Sequence, residues 1–113
     1  MADKRNVNRM RKRFPVRFGV DQPVRLAFTE DISTTGLFIK STNICAPGSL
    51  IQILVELAPG QTVLLEARVM WAKKVPPQLI HMVKKSGMGV RIVRFLQGGE
   101  SYAQLCSELA AAR

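Results

Sequence analysis

Cysteine, histidine, acidic and aromatic side chains are all scarce in this chain, and each shortage closes off a class of function. The two cysteines, Cys45 and Cys106, stand far apart in 113 residues. They make no framework of the kind that staples small secreted domains, and are expected to be reduced thiols in or near the core. The one histidine, His81, has no acid or nucleophile in any recognisable relation to it, and no metal-ligand spacing exists. The eight acids show no paired spacing, and Gly98-Gly99 lacks the lysine and hydroxyl of a phosphate-cradling loop. No enzyme and no cofactor are therefore expected. No apolar run approaches the ~20 residues of a membrane span, so no membrane insertion is expected. The basic N-terminus, with no apolar stretch behind it, does not read as a secretory signal. A soluble, cytoplasmic protein of one domain follows, with 47% hydrophobic residues to form one modest core.

Positive charge is abundant, and its placement matters more than its amount. The net charge is +9, and residues 1 to 17 hold Lys4, Arg5, Arg9, Arg11, Lys12, Arg13 and Arg17 against Asp3 alone. Such a block attracts polyanions at long range in a salt-sensitive way. Residues 1 to 12 offer only Val7 and Met10 as sizeable apolar side chains. They are expected to be a flexible basic arm.

From Phe14 the period becomes two. Phe14, Val16, Phe18 and Val20 alternate with polar or small residues, and Val24, Leu26 and Phe28 alternate with Arg25, Ala27 and Thr29. These predict two half-buried strands, or one strand bent at Asp21-Gln22-Pro23, with most phenylalanines facing inward. Glu30 to Thr35 reads as a polar connection and Leu37 to Ile39 as the start of a strand. Leu50 to Leu57, Thr62 to Ala72 and Met88 to Leu96 read as further strands. Pro47-Gly48 and Pro59-Gly60 mark turns, and Lys73 to Ser86 a longer loop. In the last strand Arg91 falls on the face opposite Val90 and Ile92. After Gly98-Gly99, the residues Tyr102, Leu105, Cys106 and Leu109 recur at helical spacing, predicting an amphipathic helix at about 99–112 that packs on the strands. The expected fold is mostly β: a small six-stranded antiparallel barrel over residues 13–113, with that C-terminal α-helix and the flexible arm of residues 1–12 before it.

Two short pieces carry the functional signal. Arg9 and Arg13 are four residues apart, with Arg11 and Lys12 between them. Asp31-Ile32-Ser33-Thr34-Thr35-Gly36 sets an acid, a hydroxyl and a glycine at fixed offsets. A guanidinium is a planar fork of donors suited to a phosphate or a purine edge. The acid, hydroxyl and glycine suit the remainder of a small polar ligand. Arg5 and Arg9 share the same spacing, but Arg13 directly abuts the apolar Phe14, which favours the Arg9/Arg13 pair.

The order Arg-x-x-x-Arg, strand, Asp-x-Ser-x-x-Gly resembles the PilZ domain, a bacterial receptor family for the dinucleotide cyclic di-GMP. The likeness extends to Phe14-Pro15-Val16, Gly36-Leu37-Phe38-Ile39, Ala67-Arg68-Val69-Met70-Trp71 and Gly87-Met88-Gly89-Val90-Arg91-Ile92, and so covers roughly residues 9 to 96. The gap from Arg13 to Asp31 is somewhat short for that pattern. The resemblance implies that Arg9, Arg13, Asp31, Ser33 and Gly36 bind cyclic di-GMP. The arginines would take the phosphates and the O6/N7 edge of guanine, and Asp31 would accept from guanine N1–H and N2–H₂. Gly36 would supply a positive φ or a close approach of backbone to ligand. Asn8, Arg11, Lys12, Trp71 and Arg91 are weaker candidates. Arg11 and Lys12 would add charge, and Trp71 would stack on a guanine or simply fill the core rim. Asn8 stands where an extra arginine accompanies a stacked pair of ligands in the family, which implies a single bound molecule here.

The leading expectation is therefore a stand-alone cyclic di-GMP receptor that signals to a downstream protein partner by ordering its arm. One alternative is a basic small-barrel nucleic-acid-binding protein, disfavoured by the thin supply of outward aromatics. Another is a PilZ-like adaptor that binds protein and no nucleotide, disfavoured by the intact motif residues.

Overall fold

The computed structural model describes residues 10–74 and 86–111. Asn8, Arg9, His81 and nearly all of the loop expected at 73–86 lie outside the described residues. Seven strands and one helix follow in chain order: β1 Met10–Arg11, β2 Pro15–Gly19, β3 Arg25–Ile32, β4 Gly36–Lys40, β5 Leu50–Ala58, β6 Gln61–Lys73, β7 Gly87–Gln97 and α1 Gly99–Ala111. All strand pairs are antiparallel. The order β3-β2-β5-β6-β7-β4 closes through a β4–β3 pairing into a six-stranded barrel. Strand β1 is an extra piece that pairs with the far end of β3, Met10 against Ile32 and Arg11 against Asp31.

The barrel interior is filled mainly by β-branched and aliphatic residues, with Phe18 among them, and such side chains suit a pleated, closely packed surface. Val16 and Phe18, Leu37 and Ile39, Ile51, Ile53 and Val55, Val63, Leu65, Ala67 and Val69, and Val90 are all buried in one cluster. Tyr102 and Cys106 bring α1 onto the same cluster, as the helical spacing predicts. Closure leaves no long sheet edge open among these six strands.

Three local expectations are corrected. First, β3 presents its other face. Val24 and Leu26 are 63% and 62% exposed and Phe28 is 36% exposed, while Ala27 and Thr29 are buried. The cause is register. Val16 is inward and pairs with Ala27, and Arg17 is outward and pairs with Leu26. Directly opposed residues share a face, so β2 dictates the phase of β3. Second, Glu30 to Ile32 are strand and not connection, because Ile32 enters the core and Asp31 pairs with Arg11 on one side and Phe38 on the other. Third, Met10 and Arg11, in the stretch read as arm, already pair with β3, and Met10 is buried in the core cluster.

Candidate functional site

Strand β3 is the element around which the candidate residues gather. Arg11, Lys12 and Arg13 line an open cleft of about 450 Å³ together with Phe28, Thr29, Glu30 and Lys40. Four cations thus face one acid. The chain reaches this geometry through a mismatch in the β3 ladder. Arg11 opposes Asp31 and Pro15 opposes Phe28. Lys12, Arg13 and Phe14 therefore oppose only Thr29 and Glu30, which is a β-bulge. The Arg13 guanidinium carbon lies 4.2 Å from the centroid of the Phe28 ring, a cation–π contact. The unexpected outward phase of β3 makes that contact possible.

Asp31, next in the strand after the cleft-lining Glu30, is half-buried. Cross-strand pairing sets it in a row that runs Arg11, Asp31, Phe38, Gly89, Trp71 over four neighbouring strands and β1. Trp71 is 47% exposed. Its indole stacks on Phe38 with ring centroids 5.3 Å apart. It lies flat across Gly89, where an added Cβ would fall 2.2 Å from Trp71 Nε1. Glycine at 89 is what lets the ring reach Phe38. Trp71 and Arg91 line a second cleft of about 320 Å³ with Thr35, Gly36, Met70, Gly89 and Val90. Of the described sequence candidates, Arg11, Lys12 and Arg13 line the first cleft and Gly36, Trp71 and Arg91 the second, while Asp31 stands with Phe38 in the row between Arg11 and Trp71.

Ser33 and Gly36 serve the loop itself. Ser33 is 1% exposed. Its hydroxyl accepts from the Thr35 and Gly36 amides at 3.3 and 3.1 Å and lies 3.3 Å from the Gly36 carbonyl. It closes the turn by the side-chain-to-backbone bonding that serine favours. Gly36 lies within β4, and a Cβ there would meet the Val90 carbonyl oxygen at 2.4 Å. The close approach it permits in this fold is that of β7, and no left-handed φ is involved. The motif's hydroxyl and glycine shape the loop that follows Asp31.

Sequence reasoning missed Phe28, Thr29, Lys40 and Tyr102. The first three carry no local signal, since their roles come from register. Tyr102 carried one: a tyrosine on an apolar helix face needs a partner for its hydroxyl. That hydroxyl donates to the Ser33 carbonyl at 2.6 Å, and the ring packs on Phe95 with centroids 5.4 Å apart. Burial raises the pKa of the neighbouring Cys106 thiol, and a hydrogen bond to Tyr102 partly opposes the rise. Tyr102→Phe keeps the ring and deletes the donor. It is expected to cost about 1 kcal/mol, read as a drop of a few degrees in the melting temperature.

No group of acids, histidines and cysteines able to hold a metal ion occurs among the described residues. No helix among them is long and apolar enough to cross a membrane.

A comparison with curated proteins by sequence returns no match. Among solved structures, the chain is similar to the Bacillus subtilis inhibitor of motility (MotI/DgrA), with a TM-score of 0.75 at 15% identity. That likeness covers 99% of this chain and 54% of the other, so this chain spans about half the length of the protein it matches. At this identity it is a likeness of fold. The family model described as PilZ domain matches residues 3–104. With most of its length under that match, and with the barrel, Arg13 and the Asp31–Gly36 segment disposed as above, this chain belongs to the PilZ family.

Proposed function

We propose that the chain is a receptor for cyclic di-GMP, acting in the cytoplasm on a protein partner. The observation that carries this reading is the meeting of Arg11, Lys12, Arg13 and Lys40 around the outward Phe28, beside Asp31. Phosphates call for the cations, and a flat base calls for guanidinium and aromatic faces. In this reading Arg13, joined by Arg9, takes phosphate and the guanine O6/N7 edge. Asp31 accepts from guanine N1–H and N2–H₂. Ser33 and Gly36 act by holding the loop. Trp71 and Arg91 line the second cleft, where a second base would lie. PilZ domains are regulatory receptors, so the output is a contact and not a reaction. The ligand, with residues preceding Met10 settled on it, would create the surface that a partner reads. The name of the B. subtilis protein, an inhibitor of motility, points to that kind of output.

Calorimetry tests the reading, with cyclic di-GMP set against GMP and heparin at low and high salt. A single saturable site for cyclic di-GMP, far tighter than for GMP, is expected. Equal affinity for all three, falling together with salt, would instead identify a non-specific polyanion surface. Amide hydrogen exchange then tests the output step. New protection around residues 5–9 on binding is expected. No ligand-dependent change there would remove this segment from the signal while leaving the binding reading in place.

A further inference from the structure

We propose that Thr29 and Phe28, which belong to neither motif, are the positioning residues that set Arg13 for its ligand. The inference rests on the reading of Arg13 as a ligand-binding residue.

A bulge leaves backbone groups out of the ladder, and buried ones need another partner. Here one side chain supplies it. The Thr29 hydroxyl donates to the Lys12 carbonyl at 2.6 Å and accepts from the Phe14 amide at 2.8 Å. Thr29 is 1% exposed, so water does not compete for either bond. Its own amide donates to the Phe14 carbonyl at 2.9 Å, and the Lys12 amide donates to the Glu30 carbonyl at 3.1 Å. Both peptides flanking Arg13 are thereby tied to β3, through a hydroxyl that no strand pattern requires. Threonine meets both demands at this site. It is β-branched and strand-compatible, and it donates and accepts through one oxygen. Valine would fill the same space and make neither bond.

Phe28 acts on the other end of the side chain. The Arg13 guanidinium carbon lies 4.2 Å from its centroid, so the head of the side chain rests on the ring. The long side chain is thus held near one rotamer before ligand arrives, and less freedom is lost on binding.

Three variants and one background separate positioning from plain structure. Thr29→Val is expected to weaken cyclic di-GMP roughly tenfold, the scale of losing an arginine's placement without losing its charge. Thr29→Ser, which restores the hydroxyl, is expected to restore affinity to within about twofold. Phe28→Leu is expected to weaken binding roughly three- to fivefold, the scale of one exposed cation–π contact. In an Arg13→Ala background, Thr29→Val is expected to change affinity no further. An equal loss in both backgrounds, or a serine variant as weak as valine, would overturn the proposal. The free protein supplies a readout that does not depend on ligand. The Arg13 Nε–H resonance is expected to be shifted by the Phe28 ring current, and to move toward a random-coil position in Thr29→Val. An unchanged Arg13 resonance in that variant would also overturn the proposal. Failure of the parent chain to bind cyclic di-GMP would overturn the receptor reading, whatever the resonance shows.

Discussion

Arg13→Ala should weaken cyclic di-GMP binding roughly ten- to a hundredfold, which corresponds to losing charge-assisted hydrogen bonds worth about 1.5–3 kcal/mol. The melting temperature without ligand should barely move. Arg13 is exposed at the bulge, and the core cluster is built without it. The truncation removes only the contact with Phe28, a surface cation–π pair worth about 0.5–1 kcal/mol. Arg13→Lys should recover only part of the loss. An ammonium restores the charge but neither the planar fork that matches a phosphate or a guanine edge nor the flat face that lies on Phe28. Calorimetry on the three proteins, with thermal melts alongside, gives both quantities. If alanine bound as tightly as the parent, Arg13 would have no part in the site. If lysine matched arginine, the residue would act as a point charge, and base recognition through it would fail.

The family and the fold were legible because they are written in spacing. Two arginines, an acid, a hydroxyl and a glycine at fixed offsets were enough to indicate the family, and alternation followed by one amphipathic stretch indicated a barrel with a helix. What stayed hidden depends on register. The run Val24, Leu26, Phe28, just before and within β3, is the more hydrophobic set, yet it faces out, because β2 already commits Val16 to the interior and Val16 pairs with Ala27. Alternation within one strand cannot say which set its neighbour will choose, and a one-residue slip exchanges the two. The same holds for Asp31. As a polar residue it reads as loop, but Ile32 beside it is buried and draws it into the strand. The bulge at Lys12–Phe14 is a mismatch between two pairings, Arg11 with Asp31 and Pro15 with Phe28, and is written in neither segment alone. Ser33 was hard to read for a different reason. A motif hydroxyl can serve a ligand or its own turn, and the spacing alone does not show that here it bonds the Thr35 and Gly36 amides. Part of the motif therefore specifies backbone shape.

Asp31→Ala separates recognition of a base from attraction of an anion, because the two predict opposite signs. The substitution raises the net charge from +9 to +10 and removes the acid that stands across the β1–β3 ladder from Arg11. Electrostatics alone would strengthen the binding of any anion, and more so at low salt. Heparin and non-specific DNA should accordingly bind the variant as well as the parent or slightly better. Cyclic di-GMP should bind it worse, by roughly ten- to a hundredfold, if a carboxylate here accepts both N–H groups of guanine's Watson–Crick edge. A cyclic dinucleotide of adenine sharpens the contrast. Its N6 amino group can still donate, but N1 is an acceptor that a carboxylate repels. The parent should therefore discriminate strongly against it, and Asp31→Ala should lose most of that discrimination. All of these values come from one set of titrations at two salt concentrations. Tighter cyclic di-GMP binding by the variant, at both salts, would show that Asp31 does not hold a guanine, and that the basic surface of Arg11, Lys12, Arg13 and Lys40 works by charge alone.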